Sequence, residues 1–201
     1  MESVKSQGIV FGLSGLFFGV MLGWMLGAQQ ASSPVAPPAQ TQASSASSQT
    51  PAPPPLDLQR ASDLERQAKA SPNDAAVREQ LGNLYFDAQR FDLAIPWYEA
   101  AMKIDKKNVN ISTDLAVSWF YQNEIDRALK QIDYSLSLDP KHAKTLLNQG
   151  IIRAFGKQDL DGAGKAWEQV VAVAPASPEG KRAKEFLDGL KSAHPGIGKQ
   201  L

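Results

Sequence analysis

The chain has no cysteine among its 201 residues and only two histidines. Without cysteine it cannot form disulfides, thiolate zinc sites, a cysteine nucleophile or the acylated cysteine of a lipoprotein. The absence of cysteine does not identify the redox compartment, because a chain without thiols is compatible with any compartment. His142 falls at a predicted hairpin turn and His194 in the carboxyl-terminal tail, so neither is placed as a base held by a second group.

An excess of charge of either sign is also absent. Lys plus Arg and Asp plus Glu both total 21, so no whole-chain field favours nucleic acid. The turn with Asp159 and Asp161 lacks the remaining carboxylates of an EF-hand loop, and Gly-Ala-Gly-Lys at 162–165 lacks the length of a P-loop. We therefore predict no catalytic residue, no cofactor, no metal site and no nucleic-acid partner, and we do not expect an enzyme.

Charge is missing altogether from residues 8–28, an apolar run of 21 residues. A helix of that length crosses a hydrocarbon layer of about 30 Å. The alternative is a cleaved signal peptide, whose apolar core is usually about 7 to 15 residues long and ends at a small-x-small site. Leu26-Gly27-Ala28 has a large residue where that site needs a small one. We therefore predict an uncleaved transmembrane helix.

The cations that flank the apolar run predict its orientation. Lys5 precedes the run, and the next cation after it is Arg60. By the positive-inside tendency, residues 1–7 form a cytoplasmic tail. We expect a single-pass protein of a bacterial inner membrane, with its folded part in the periplasm.

Within this run, Gly15, Gly19, Gly23 and Gly27 recur at every fourth position. Such a stripe lets two membrane helices approach closely, and it predicts a homodimer or a partner membrane helix. The other interpretation is that glycine is simply frequent in membrane helices. Residues 29–55 then shift to Ala, Ser, Gln and Pro without charge, which is typical of a semi-stiff linker.

A helical hairpin pattern occurs three times between residues 73 and 175. Its small positions Gly82, Ala116 and Gly150 are evenly spaced, with a period of 34. Two further rows have steps of 34 and then 35: Ala94, Ala128 and Ala163, and Tyr98, Ile132 and Trp167. We attribute the longer last step to one residue inserted in the turn at 158–162. A period of this length is typical of units that stack on their neighbours, because each is too small to bury its apolar face alone.

These residues resemble the tetratricopeptide repeat, whose motif is seen in Leu81-Gly82-x-x-Tyr85, in Ala94-x-x-x-Tyr98-x-x-Ala101 and in Pro140. The small residues Gly82 and Ala116 are expected to let the partner backbone near Ala94 or Ala128 approach closely. The resemblance implies an all-α, TPR-like α-solenoid in a domain at 56–193. Its parts are hairpins at about 75–108, 109–142 and 143–177, capping helices at 56–70 and 178–193, and a flexible tail at 194–201.

The resemblance also implies a concave face that the first helix of every hairpin lines, and a protein or peptide ligand held there. The predicted groove consists of Asn83, Phe86, Asp87, Val117, Phe120, Tyr121, Lys144, Asn148, Ile151 and Phe155. An apolar strip rimmed by polar groups suits a partner segment. The alternative for Ile151 and Phe155 is packing against Phe186 of the closing helix.

Some tetratricopeptide domains hold the carboxyl terminus of a chaperone with lysine, asparagine and arginine side chains. The matching positions here are Glu79, Asn83, Asp114, Lys144 and Asn148. Glu79 and Asp114 would repel a carboxylate. We therefore expect an apolar peptide, helical or extended, with Asn83 and Asn148 available for hydrogen bonds to its backbone.

The whole layout is similar to the membrane-anchored tetratricopeptide subunits of bacterial cytochrome c maturation, in which a periplasmic repeat domain presents apocytochrome or holds a lyase partner. This resemblance implies a membrane-anchored scaffold that recruits or assembles a protein partner of an envelope complex. The alternative is a structural spacer that forms homo-oligomers through its glycine-striped helix.

Overall fold

The computed structural model describes residues 54–194. The predicted transmembrane helix at 8–28 with its glycine stripe lies outside the described residues, as do nearly all of the linker and the tail from 195 onward. Within residues 54–194, no helix is both long enough and apolar enough to span a bilayer.

Eight α-helices occupy the described residues. They are α1 (Leu58–Ala70), α2 (Ala75–Asp87), α3 (Phe91–Ile104), α4 (Val109–Tyr121), α5 (Ile125–Leu138), α6 (Ala143–Ile151), α7 (Leu160–Val173) and α8 (Pro178–Ala193). The π-helical segment Ile152–Lys157 continues α6. Helices α2 and α3, α4 and α5, and α6 and α7 form three hairpins, and each hairpin packs on the next. Residues 54–194 contain no strand, so the prediction of an all-α solenoid is confirmed.

Side chains just before a helix satisfy the free amides of its first turn. Asp74 accepts from the amides of Ala76 and Val77 at the start of α2, and Asn108 accepts from the amide of Ile111 at the start of α4. Such caps contribute about 1 kcal/mol each. Because Asp74 and Asn108 are separated by one repeat period, the repeat also sets where the first helix of a hairpin begins.

Each hairpin turn contains one residue with a left-handed backbone: Gln89, Asn123 and Gln158, with φ of 56°, 62° and 58°. In the first two hairpins the residue after it donates its amide proton five residues back, as in Arg90 to the carbonyl of Tyr85 at 2.8 Å. This geometry closes the carboxyl end of a helix. In the third hairpin, Asp159 donates six residues back to Arg153 at 2.9 Å.

The residue inserted in the third hairpin lies in the π-helical segment Ile152–Lys157, not in the turn at 158–162 as predicted. Gln89 and Asn123 are separated by one repeat period, whereas Gln158 comes one position later than the period predicts, so the extra residue precedes Gln158. A π-helical turn bonds from i to i+5 and so takes up one more residue than an α-helical turn. The hairpin turn itself keeps its geometry.

Close packing inside a hairpin joins a small residue to an aromatic ring. A Cβ atom added to Gly82 would lie 2.5 Å from Cε1 of Tyr98, and one added to Gly150 would overlap the Trp167 indole. The partner of the small residue is therefore a side chain of the second helix, and not the backbone near Ala94 that we expected. Ala94 is itself fully buried.

The buried core has two parts. One runs through α1 to α5, includes Leu81, Tyr98 and Ile132, and extends to Ile152 of the π-helical segment. The other joins α6, α7 and α8 and includes Trp167 and Leu187. Each part covers an apolar stripe that its helices could not bury alone.

Two pairs of hydroxyl side chains are fully buried. Ser112 bonds Ser135 inside the second hairpin at 2.6 Å. Thr113 bonds Thr145 where the second and third hairpins meet, and we call this pair, with His142 at its edge, the polar seam. Thr113 donates to the carbonyl of Val109, so Thr145 must donate to Thr113, at 2.6 Å, and Nδ1 of His142 must donate to Thr145, at 2.7 Å. Each hydroxyl in this chain is satisfied, which buried polar groups require.

Both ends of the stack present polar side chains. Arg60 and Gln67 of α1 occupy the positions that Ala94 and Ala101 hold in α3, and both are exposed, so α1 does not need a preceding helix to cover it. At the other end α8 buries Leu187 and Leu190 among other apolar residues. The exposed residues of α8 are Lys181, Arg182, Lys184, Glu185 and Lys191. Polar-backed terminal helices keep a solenoid soluble and end its stacking.

Candidate functional site

The first helices of the hairpins, α2, α4 and α6, lie side by side and form what we call the first-helix face. Nζ of Lys144 on α6 lies 2.6 Å from Oδ1 of Asp114 on α4, and the polar seam also joins these two helices. Glu79 of α2 and Asn108, the residue before α4, line the same surface cavity, which places α2 near the start of α4. The second helices α3 and α5 form the opposite layer, where Arg127 pairs with Glu99 at 3.5 Å.

Aromatic rings join the first and second hairpins along this face. We call Phe86, Phe91, Tyr98, Phe120 and Tyr121 the aromatic cluster. Phe86 meets Phe91 edge-on at 5.1 Å between ring centroids, and Phe91 stacks on Tyr121 at 4.3 Å. Phe86 also lies 6.4 Å from Tyr98, and Phe120 lies 5.4 Å from Tyr121. Such pairs contribute roughly 0.5–1.5 kcal/mol beyond area burial.

Sequence reasoning missed Phe91. The predicted groove drew only on the first helices, whereas Phe91 is the first residue of α3, a second helix. A signal was available, since Phe91, Ile125 and Leu160 open the three second helices in the same repeat phase. An apolar residue at the start of a second helix can reach the end of a neighbouring first helix, as Phe91 reaches Tyr121.

The predicted groove residues of the first two hairpins differ in accessibility. Tyr121 is 47% exposed, whereas Val117 is only 8% exposed, so Val117 offers little surface to a partner. Phe86 and Phe120 are half-buried, and Asp87 is exposed. The accessible apolar surface of these hairpins is therefore centred on Tyr121.

In the third hairpin, Phe155 is 43% exposed, and Lys144, Asn148 and Ile151 are half-buried. Ile151 packs against the core of α6 to α8, as Phe186 does. The ring of Phe186 itself stacks on Trp167 at 4.8 Å. Residue 155 follows Asp87 and Tyr121 in the repeat phase, so these three positions occupy the same end of the three first helices.

The two asparagines of the predicted groove have intramolecular partners. Tyr98 donates its hydroxyl proton to Oδ1 of Asn83 at 2.7 Å, and Nδ2 of Asn148 donates to the carbonyl of Lys144 at 2.8 Å. The first bond orients the hydroxyl of Tyr98, a buried residue of α3, toward α2. The remaining amide atoms, Nδ2 of Asn83 and Oδ1 of Asn148, are the ones that could bond a ligand backbone.

Glu79 and Asp87 flank Asn83 on one face of α2, at spacings of four residues. Burial raises the pKa of Tyr98, and the negative charges of Asp114, Asp87 and Glu79 raise it further. Burial also raises the pKa of Asp114 against the opposing effect of Lys144, and it raises the pKa of Glu79. We call Glu79, Asp87 and Asp114 the acidic group. Within residues 54–194 no three acidic or histidine side chains come close enough to hold a metal ion.

Two surface cavities lie outside the predicted groove. One, of about 640 Å³, opens at the turns before α2 and α4 and is lined by residues that include Asn73, Glu79 and Asn108. The other, of about 470 Å³, lies on the second-helix layer and includes Met102 and Tyr134. Neither cavity contains a predicted groove residue.

The comparisons with known proteins agree with this fold. The family model described as Tetratricopeptide repeat matches residues 58–109. Hsp70-Hsp90 organizing protein 3 of Arabidopsis thaliana is 26% identical over 129 residues, which is 64% of this chain but only 22% of that relative. The chain therefore spans about a fifth of that relative's length.

Two solved structures share both the fold and part of the sequence. The first TPR of Spaghetti (RPAP3), bound to the HSP90 peptide SRMEEVD, is 27% identical and has a TM-score of 0.54, covering 61% of this chain and 94% of its own. The first TPR domain of human RPAP3 is 26% identical with a TM-score of 0.56, covering 65% of this chain and all of its own. The described residues are therefore a tetratricopeptide-type solenoid.

Proposed function

We propose that this protein is a non-enzymatic, membrane-anchored scaffold that binds a segment of a partner protein on its first-helix face. Residues 56–193 provide the binding domain. Residues 8–28 provide the anchor, and residues 29–55 the tether between them.

The aromatic cluster is the observation that carries this proposal. Its rings bridge two hairpins, yet Tyr121 remains 47% exposed, and Phe155 adds a second exposed ring on α6's π-helical continuation. Aromatic side chains that are accessible on a rigid support are enriched where proteins bind each other, because they bury much area at little entropic cost. A relative of the same fold holds a peptide, which supports peptide binding as the use of this face.

Substitution of the exposed rings tests the binding face. We expect Phe120→Ala and Tyr121→Ala to remove a partner that wild-type protein captures, with a loss of about 2 kcal/mol or more if these rings are binding hot spots. Tyr134→Ala is the matched control, because Tyr134 is also an exposed aromatic residue but lies on α5, in the other layer. An unchanged partner list for the Tyr121 variant, or equal loss for the control, would count against the face.

A photo-crosslinker at position 120 would identify the partner within the membrane. The proposed process is assembly of an envelope complex, with cytochrome c maturation as the specific form. The order of anchor, tether and solenoid along the chain supports this proposed process. We expect the crosslinked product to contain an apocytochrome or a lyase component, and a product from an unrelated complex would remove that form of the proposal.

Membrane orientation is a separate part of the proposal. It is supported by the uncharged run at 8–28 with Lys5 before it. A reporter that is active only in the periplasm should work when fused after Leu201. A reporter that works there only in the cytoplasm would reverse the orientation and move the partner to that side.

The glycine stripe supports a homodimer through the anchor. Gly19→Leu places a large side chain in the middle of that stripe and should abolish dimerisation in detergent, measured by analytical ultracentrifugation. If the wild-type chain is a monomer, the structural-spacer alternative loses its basis.

A further inference from the structure

We propose that the first-helix face selects a partner segment carrying a basic side chain, which the acidic group receives beside the aromatic cluster. This inference rests on the proposed function, and it adds the charge of the segment.

The acidic group and the aromatic cluster lie on the same two helices. Glu79 lies seven residues before Phe86 on α2, and Asp114 lies seven residues before Tyr121 on α4. Residues two turns apart share a helix face, so each of these carboxylates lies on the same face as a ring. Asp87 directly follows Phe86 in the chain. A segment that covers Phe86 and Tyr121 and runs along these helices therefore brings its polar side chains to the acidic group.

The protein already shows how this surface holds a cation. Nζ of Lys144 lies 2.6 Å from Oδ1 of Asp114, whose side chain is only 15% exposed. One lysine against Glu79, Asp87 and Asp114 leaves a formal charge of −2 from these four side chains. Within residues 54–194, neither Glu79 nor Asp87 forms an ion pair. An ammonium or guanidinium group from a partner would supply the missing charge.

The energetic argument is one of desolvation. Burial raises the pKa of both Glu79 and Asp114, so their charged forms are poorly solvated. A cation brought by a partner offsets that cost, whereas a second carboxylate adds to it. Juxtaposed like charges at an interface cost several kcal/mol and exclude wrong partners.

The acidic group sets this face apart from a surface that takes acidic peptides. The peptide SRMEEVD, bound by the relative, has three acidic residues and one arginine. On this face the same carboxylates would approach Glu79 and Asp114.

Three labelled peptides test the inference by fluorescence anisotropy with the full chain in nonionic detergent. They share their Leu and Phe positions, have blocked ends, and carry Lys, Gln or Glu at every polar position. We expect the Lys peptide to bind at least about tenfold more tightly than the Gln peptide and the Glu peptide more weakly than both. The preference should shrink as salt is added, because ions screen it.

Two double variants decide where the preference arises. Glu79→Gln with Asp87→Asn should reduce the preference for Lys over Gln to less than about threefold. Asp133→Asn with Asp188→Asn removes the same charge from exposed positions on α5 and α8 and should leave the preference unchanged. Equal loss in both variants would mean that net charge alone attracts the peptide, and would overturn the inference.

The outcomes separate the inference from the proposed function. If Lys and Gln peptides bind equally, and Tyr121→Ala weakens both, the face binds peptides but does not select basic ones. If none of the three peptides binds, the proposed function fails and the inference fails with it.

Discussion

The hairpins of this solenoid use the same packing device in two regions, but they attach to their neighbours differently. In the first hairpin Tyr98 lies on Gly82, and in the third hairpin Trp167 lies on Gly150. Each ring has a polar anchor on its own hairpin: Tyr98 bonds Asn83 at 2.7 Å, and Trp167 bonds the carbonyl of Leu147 at 3.3 Å. Within a hairpin, the two regions therefore follow one design.

The contacts between hairpins change at residue 153. Tyr85 donates to Glu65 of the preceding helix at 3.3 Å. Trp119, in the same phase, lies under Arg127 of its own hairpin at 4.4 Å, and Arg127 pairs with Glu99 of the preceding hairpin at 3.5 Å. Arg153 pairs only within its own hairpin, with Asp159 at 2.7 Å, and the junction between the second and third hairpins includes the polar seam instead. A regular sequence repeat can therefore contain a junction whose contacts differ from those of the other junction.

The largest expected effect is a loss of stability in the third hairpin. Trp167→Ala should cost roughly 3–5 kcal/mol, because it removes a buried ring and leaves a cavity. Hydrogen exchange should show lost protection in α6, α7 and α8, with α2 to α4 still protected, since Trp167 belongs to the core part of α6 to α8 and α2 to α4 pack in the other part. Uniform loss along the whole chain would mean that the seam transmits unfolding and that the two regions are one unit.

Gly150→Ala tests the packing that both regions share. The added Cβ overlaps the Trp167 indole, and overpacking of this kind costs about 1–3 kcal/mol. Gly189→Ala is the matched control, because nothing lies within 4 Å of its Cβ position in α8, and it should stabilise by up to about 1 kcal/mol through helix propensity. Urea unfolding measures both. A stable Gly150 variant would show that Trp167 moves aside freely.

Thr145→Val tests the polar seam. It removes the hydrogen bond that Thr113 accepts and the acceptor of His142, and lost buried hydrogen bonds cost about 1–2 kcal/mol. Adding Thr113→Val removes the hydroxyl that lost its donor, so the double variant should be less destabilised than the sum of the single variants in urea unfolding. Strict additivity of the two single effects would contradict the hydrogen-bonded chain.

The smallest expected effect is at Asp159, which caps α7 and pairs with Arg153. Asp159→Ala should cost about 1 kcal/mol at neutral pH. Hydrogen bonds from Gly162 and Arg153 hold the pKa of Asp159 below its usual value of 3.8, so its contribution is present above that value and is lost as the pH falls through the folded-state pKa. Wild type and variant should therefore converge in stability in acid, and a constant difference would contradict this.

Repeat phase predicted much of the fold and part of the candidate site. The rows through Gly82 and Tyr98 predicted hairpins, and the structure contains them. The same rows did not predict Phe91, because its importance depends on Tyr121, which belongs to the next hairpin in the sequence and is stacked on it in space. The predicted location of the inserted residue was also wrong. A longer step in the period shows that one residue was added, but it does not show in which turn that residue lies.

The acidic group shows the same limit of prediction from the repeat phase, here for charged residues. Glu79 and Asp114 were identified from the sequence as unsuited to a carboxylate ligand, since that needs only their sign and phase. Their ion pairing does not follow from sign and phase, since Asp114 pairs with Lys144 of the next hairpin and its side chain is only 15% exposed. Only the packed structure shows which of these carboxylates has a cation.

The sequence by itself determined the helices, their pairing and their order, because capping, period and small-to-large alternation act within about one repeat length. Tertiary structure alone decided how the hairpins join, which rings touch across them and which carboxylates are desolvated. Those properties depend on distances between residues that no local pattern relates, and they arise only when the hairpins pack.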